Sequence, residues 1–328
     1  MPGFLTVLSV GAAVVPILGF LLVLWWMDRY DREPAWLFAL VFLWGAVGAV
    51  VFAAAGSLAA VYPLQAALGA RIATHTATVL VAPLVEEPVK AAILFLLPLS
   101  RHFDNTTDGF VYGGAAGLGF GMSENLVYFV GLSTNGDPVG WMGTVLVRTF
   151  YSALMHAASS GLVGAALGFT LFRSPRIRIL AVATGFLLAM TMHGVWNGLL
   201  IADEILETHG ALFELDLLVF PLEFFVVLAI FQFCLWDERR VLLRELTEEA
   251  SLGVLPHEHV ALLASWIRRS GRGWLPRGVP HAAYIRSATT LAFRKQQSRA
   301  GRGPGVVARQ ADVERLREEI RRLLSPAG

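Results

Sequence analysis

The sequence predicts an all-α polytopic membrane bundle of about seven spans, within a range of six to eight, followed by a small helical tail. Composition is the first reason. The 328 residues are 55% hydrophobic and only 16% charged, with a mean hydropathy of +0.60, whereas soluble domains carry about 25% charged residues. The second reason is the recurrence of apolar runs long enough to cross a hydrocarbon core of about 30 Å. The third is the distribution of charge. Met1–Trp236 holds 9 Lys and Arg against 15 Asp and Glu, and Asp237–Gly328 holds 17 against 10. The two regions suit different solvents, so the chain divides into a membrane domain, 1–236, and a basic cytoplasmic helical tail, 237–328.

In chain order the apolar runs fall near 4–27, 35–55, 72–99, 109–131, 142–172, 179–201 and 216–236. The first has no basic residues before it and no small-residue cleavage site after it, so it reads as a retained helix rather than a signal peptide. The third contains Pro83 and Pro88, which should kink it, and 62–80 can form a separate short or interfacial helix. Trp25, Trp26 and Trp36 flank the first two runs as interfacial belt residues. Gly113, Gly114, Gly117, Gly119 and Gly121 in the fourth read as positions of close helix packing. Cys234 is the only cysteine, which rules out an internal disulfide and a cysteine-rich metal site.

Loop charges set the orientation. The short loop Arg173–Arg178 is basic, and the loop from Ala202 to Leu215 has four acids and no Lys or Arg. The first is therefore cytoplasmic and the second external. The loops 28–34 and 100–108 then lie inside, as does the tail, and the N-terminus lies outside. In the tail, 237–250 continues as an amphipathic helix, 256–269 is a second, 282–297 a third and 311–324 a fourth, with a flexible Gly/Arg-rich stretch at 299–305. His257-Glu258-His259 lacks the four-residue histidine spacing of a helical metal motif and reads as a solvated loop pair. The basic tail needs no nucleic-acid partner, because anionic headgroups beside it account for its charge.

The chemistry lies in polar groups placed inside apolar runs. Glu86, Glu87 and Lys90 interrupt the third. Glu124 and Asn125 sit in the fourth. Arg148, Ser152, His156 and Ser160 recur every four residues in the fifth, and His193 and Asn197 are four apart in the sixth. An ionisable group at mid-bilayer costs a few kcal/mol, about 2.5–3.5 on insertion scales, so such residues face a bundle interior and mark function. Glu86 and Lys90, four apart, share a helical face and can pair. Each group also has a plainer use: Glu124 can neutralise Arg148, Lys90 can neutralise Glu86, and an interior histidine can simply be hydrogen-bonded. An acid pair and two histidines brought to similar depth by four helices suit general-base or metal chemistry better than packing.

Taken in order, Glu86-Glu87-x-x-Lys90, Phe120-x-x-x-Glu124, His156-x-x-x-Ser160 and His193-x-x-x-Asn197 resemble the four motifs of the PrsW family of intramembrane proteases. That family is distantly related to the CAAX-prenyl endopeptidases and bacteriocin-processing enzymes. The resemblance covers roughly Phe4–Trp236 and includes the loop Asp28–Pro34. Many relatives in the wider superfamily have histidine where this chain has Glu124, which leaves the role of that position open.

The resemblance implies hydrolysis of a peptide bond in a membrane-anchored protein such as an anti-sigma factor. Glu86 is the first choice for the general base, with Glu87 holding a neighbouring group. His156 and Glu124 are candidates to hold the water or a metal. Lys90, Ser160 and Arg148 are supporting residues. Resemblance to the CAAX proteases implies that His193 and Asn197 donate to the oxyanion. Two versions stay open: Zn2+ held by His156, His193 and Glu124, or water activated by glutamate and histidine without metal. The rival classes are a proton- or ion-coupled transporter using the buried Glu/His/Lys set, for which no inverted repeat is found, and a non-enzymatic scaffold. The expected partners are the substrate and the lipid bilayer, and no nucleic acid.

Overall fold

The computed structural model describes residues 2–28, 33–100, 103, 105–171, 173–271, 273–300 and 305–325. Among them there is helix and no strand. Five helical stretches are long and apolar enough to cross a membrane. The first is α1 (Pro2–Met27). The second joins α2 (Ala35–Leu43) to α3 (Val50–Leu68) through a π turn, Trp44–Ala49. The remaining two of the seven expected runs take other forms.

Residues 72–99 form no single helix. Gly69, with φ +79°, separates α3 from α4 (Ala70–Thr76), and a π turn, Ala77–Val81, leads into α5 (Ala82–Ala91). Two 3-10 turns, Ala92–Phe95 and Leu97–Leu99, complete the run. The prolines explain the breaks. Pro83 has no N–H and its ring crowds the carbonyl four residues back, and the wider π turn just before α5 removes that conflict.

The run 109–131 lies within α6 (Thr106–Ser133), which begins with a capping box between Asn105 and Asp108. Its 28 residues are long enough to span, but Thr106–Gly121 are all buried in protein. They need not match lipid in composition. Gly109, Gly113 and Gly117 face the carbonyls of Gly164, Ser160 and His156, where an added Cβ would stand 2.0, 2.2 and 2.0 Å from oxygen. On the other side Gly119 faces the Phe42 carbonyl, and Gly45 of the first π turn faces that of Ala116. Small residues thus let three backbones touch, as membrane helix packing requires.

α7 (Pro138–Val147), a π turn Arg148–Ser152 and α8 (Ala153–Thr170) make the third apolar stretch. The π turn breaks the every-four spacing from Arg148 to Ser160 seen in the sequence. α9 (Pro175–Leu206) packs on α8 and α5, and α10 (Ala211–Ser251) closes the bundle, with Phe231 against Phe110 of α6 at 5.2 Å. α10 runs without a break across Trp236, so the compositional boundary is not a break in the chain's structure.

Beyond Trp236 a second core forms around Leu242, Leu246, Leu263, Tyr284, Phe293 and Ile320. It is built by the end of α10 with α11 (His257–Leu263), α12 (Trp266–Ser270), α13 (His281–Ala300) and α14 (Gly305–Leu324). The expected helix 256–269 is thus two short ones, and the centre of the stretch 299–305 lies outside the described residues. Glu249 ties three helices together by accepting from Lys295 at 2.6 Å and from both ends of the Arg317 fork at 2.7 Å. The solvated-pair reading of His257 and His259 needs correction. His257 is exposed, but His259 is buried on α11, where its Nδ1 lies 2.9 Å from the Tyr284 hydroxyl and burial holds its pKa below the ordinary value.

The glycine contacts carry a prediction of opposite signs. Gly117→Ala drives a methyl group into the His156 carbonyl and should cost at least about 1–3 kcal/mol. Gly131→Ala meets nothing within 4 Å and should stabilise α6 by about 0.5–1 kcal/mol. Thermal unfolding of the detergent-solubilised protein reads both.

Candidate active site

α5, α6, α8 and α9 each deliver polar groups to one buried cluster. Lys90 of α5 is fully buried. Its Nζ donates to Glu87 Oε1 at 2.5 Å and to His156 Nδ1 at 3.0 Å, and it lies 4.9 Å from the centre of the Phe120 ring. The sequence paired Lys90 with Glu86. The structure pairs it with Glu87, three residues back, because Glu87 is fully buried between Lys90 and His193 while the Glu86 side chain turns to the other ring nitrogen of His193.

Hydrogen-bond chemistry assigns the histidine tautomers. An ammonium can only donate, so His156 Nδ1 accepts from Lys90. Its proton then sits on Nε2, which donates to Glu124 Oε2 at 2.7 Å. His193 Nδ1 donates to Glu87 Oε1 at 2.8 Å, and this leaves the lone pair of Nε2 exposed to the cluster. The two rings stand edge to face with centres 5.1 Å apart. Each histidine is therefore oriented by its own carboxylate, as metal-binding and general-base histidines commonly are.

Glu124 is fixed in turn. Arg148 Nη2 reaches its Oε2 at 2.8 Å, and Arg148 Nε donates to Asn125 Oδ1 at 3.0 Å while its guanidinium stacks on Tyr128. Glu86 is different. Its Oε2 is buried with no hydrogen-bond partner and stands 3.9 Å from His193 Nε2. Two lone-pair-bearing atoms thus face each other with no donor between them.

That arrangement fits a cation or a water. Glu86, His156 and His193 each offer a ligand atom within 4.8 Å of the others. Zinc bonds to nitrogen and oxygen run to about 2.0–2.2 Å in a tetrahedral set, whose ligand atoms stand about 3.4 Å apart, so these three would have to draw together to hold one. The sequence named Glu124 as the carboxylate of such a trio. The structure groups Glu86 with the histidines and leaves Glu124 engaged by Arg148 and His156.

Asn197 and Ser160 sit apart from the network. Asn197 Nδ2 donates to the Thr78 carbonyl at 2.9 Å, and Ser160 Oγ is buried with no partner. The Asn197 bond belongs to a pattern invisible in the sequence. In each of the three π turns, a backbone carbonyl accepts from a polar side chain of a neighbouring helix: Ala46 from Ser123 at 2.7 Å, Thr78 from Asn197, and Arg148 from Asn125 at 3.2 Å. Trp44 Nε1 similarly donates to the Val89 carbonyl at 3.1 Å, beside Lys90. Nothing in the sequence separates that tryptophan from a lipid-facing one. The loop 28–34 reaches the bundle through Glu33, which accepts from the Tyr112 hydroxyl at 2.6 Å, while 29–32 lie outside the described residues.

A helical membrane bundle enclosing two carboxylate-oriented histidines and an acid aimed between them has the make-up of an intramembrane protease. The family comparison agrees: residues 33–231 match the model of the PrsW family of intramembrane metalloproteases, and the chain belongs to that family. Protease PrsW of Geobacillus kaustophilus is 30% identical over 209 residues, covering 63% of this chain and 86% of that protein. The Bacillus subtilis protease PrsW is 26% identical over 199 residues, covering 59% and 83%. That of Oceanobacillus iheyensis is 27% identical over 205 residues, covering 60% and 83%. No solved structure matches the chain. The protein is a membrane protease, and the family match ends before the tail.

The network predicts that the two adjacent acids differ in stability effect. Glu87→Gln leaves the Lys90 ammonium buried without its counter-charge and should cost about 3–5 kcal/mol. Glu86→Gln removes no hydrogen bond and should cost no more than about 1 kcal/mol. Chemical unfolding of both variants in one detergent compares them.

Proposed function

We propose that this protein hydrolyses a peptide bond of a membrane-anchored protein, within or beside the bilayer, with Glu86 as general base. One observation carries the reading. Glu86 and Glu87 each have a buried oxygen without a hydrogen-bond partner, but Glu87 is held through its other oxygen by Lys90 and His193, whereas Glu86 Oε2 faces the open lone pair of His193 Nε2 at 3.9 Å. A water between Glu86 Oε2 and His193 Nε2 has an acceptor on each side, and Glu86 takes the proton as the oxygen attacks the scissile carbonyl. Glu87 and Glu124 hold the two rings in place. The ammonium of Lys90 keeps a third N–H beyond its bonds to Glu87 and His156, and Asn197 keeps a second beyond its bond to Thr78. These are the donors this reading assigns to the oxyanion. His193 can donate only once protonated, since its Nδ1–H is already given to Glu87.

Glu86, His156 and His193 are the residues that would hold a zinc ion. Bound there, it would supply Lewis-acid polarisation of the carbonyl. His156 would ligate only after exchanging its bond to Lys90 or to Glu124, because both ring nitrogens are engaged. The substrate class, a membrane-anchored protein such as an anti-sigma factor, follows from the family resemblance. The division of labour between a membrane protease domain, 1–236, and a cytoplasmic tail, 237–328, rests on the change of charge at Trp236 and on the loop charges.

Cleavage of a membrane-anchored reporter tests the assignment. Glu86→Gln should lower turnover at least about 10²-fold, the low end for a lost general base, while leaving the thermal unfolding profile in place. Normal cleavage by this variant would remove Glu86 as the base. If zinc occupies the site, elemental analysis of purified protein should find it equimolar and should find less in His193→Ala. Full activity after exhaustive chelation would select the metal-free version.

The orientation proposed from the loops has the N-terminus outside and the tail in the cytoplasm. A phosphatase reporter fused after Gly328 should be silent and a cytoplasmically folding fluorescent reporter bright. The reverse result would invert the topology.

A further inference from the structure

We infer that α12 is a membrane-interface anchor, with Ile267 set among lipid headgroups and acyl-chain ends on the side of the bilayer where α1 ends. The first observation is position. Trp26 closes the first membrane-spanning helix and is 49% exposed. Trp266, the first residue of α12, meets it edge to face with ring centres 6.1 Å apart and planes at 88°. A span that ends at Trp26 places that ring at the interface, where tryptophans concentrate. Trp266 lies at the same depth. Trp236, half-exposed under the Arg240 guanidinium at 5.2 Å, marks where α10 leaves the same interface.

The second observation is that α12 is amphipathic in the wrong sense for water. Arg269 is buried against the tail, where its Nη1 donates to Thr289 Oγ1 of α13 at 3.3 Å and its carbonyl accepts from Trp274 Nε1. Ile267 lies two residues back, about 200° around the helix, so it faces away from the tail core and is 75% exposed. A helix in water would turn the arginine outward and the isoleucine inward. The inversion is resolved if the outward face meets lipid, with neighbouring exposed Arg268 at the headgroup level. The tail is then folded back on the leaflet: α10 carries the chain about 22 Å from Trp236 to Ser251, and residues 252–265 bring it back to meet Trp26 at Trp266.

Leu252 supplies the internal control. It is also an exposed aliphatic residue of the tail, at 56%, but it lies past the far end of α10. Single cysteines at 267 or 252, in a full-length Cys234→Ala background, are labelled with an environment-sensitive fluorophore. Each protein is then placed in nanodiscs with or without headgroup-proximal spin-labelled lipid. The label at 267 should be quenched by that lipid at least about threefold more than the label at 252, as expected for a side chain within 5–10 Å of the headgroup boundary. The label at 252 should be the one reached by aqueous iodide. Equal iodide quenching at both positions would overturn the inference. So would a label at 267 shielded from lipid and iodide alike together with a doubled particle mass, which would mean that a second copy of the chain covers this face.

Discussion

A lysine sealed from water must find its counter-charge inside the protein, and the interior of this bundle is organised around that requirement. Lys90 satisfies it with Glu87 from its own helix and His156 from α8. Glu87 also accepts from His193 of α9. His156 is held in the tautomer that donates to Glu124 of α6, and Glu124 is balanced by Arg148 at its outer side. One buried ammonium thus anchors a carboxylate, the orientation of two rings and the mutual approach of four helices. Glu86, adjacent in sequence but outside this chain of bonds, is left available. Two neighbouring glutamates acquire different work because a helix turns by about 100° per residue.

A second constraint acts on the backbone. Lipid offers no hydrogen-bond partner, so a carbonyl displaced from the regular ladder must be satisfied by protein. Each of the three π turns creates that need, and Ser123, Asn125 and Asn197 meet it. Asn125 and Asn197 stand beside or within the family motifs, and their bonds serve backbone geometry. Asn197 in particular holds the turn that leads into α5, and so governs where Glu86 and Glu87 emerge.

The all-α class, the polar groups inside apolar runs and the helices that carry them were legible from spacing and composition alone. The pairing within the cluster was not. Three-apart and four-apart partners are equally reachable on an isolated helix, and the choice of Glu87 over Glu86 for Lys90 is made by His193, which lies 103 positions further along the sequence. The π turns were hidden because they alter backbone register without a distinctive residue type. The broken form of 72–99 was legible only as a kink, since Pro83 and Pro88 announce a missing donor but not how the chain repairs it. His259 misled because burial there is conferred by Tyr284 and Trp274 on later segments, beyond the reach of a local spacing rule.

The continuity of α10 has a mechanical meaning. From Pro221, which lacks a donor and is the natural flexing point, an unbroken helix runs to Ser251 in the tail, about 45 Å at 1.5 Å per residue. On a lever of that length a tilt of about 5° about Pro221 displaces the far end by about 4 Å. At the pivot, Phe220 packs on Tyr151 at 4.8 Å and Trp196 at 6.5 Å, and Trp196 stands on α9 between His193 and Asn197. A displacement of the tail would therefore be felt, reduced in travel, at Trp196, three residues from His193.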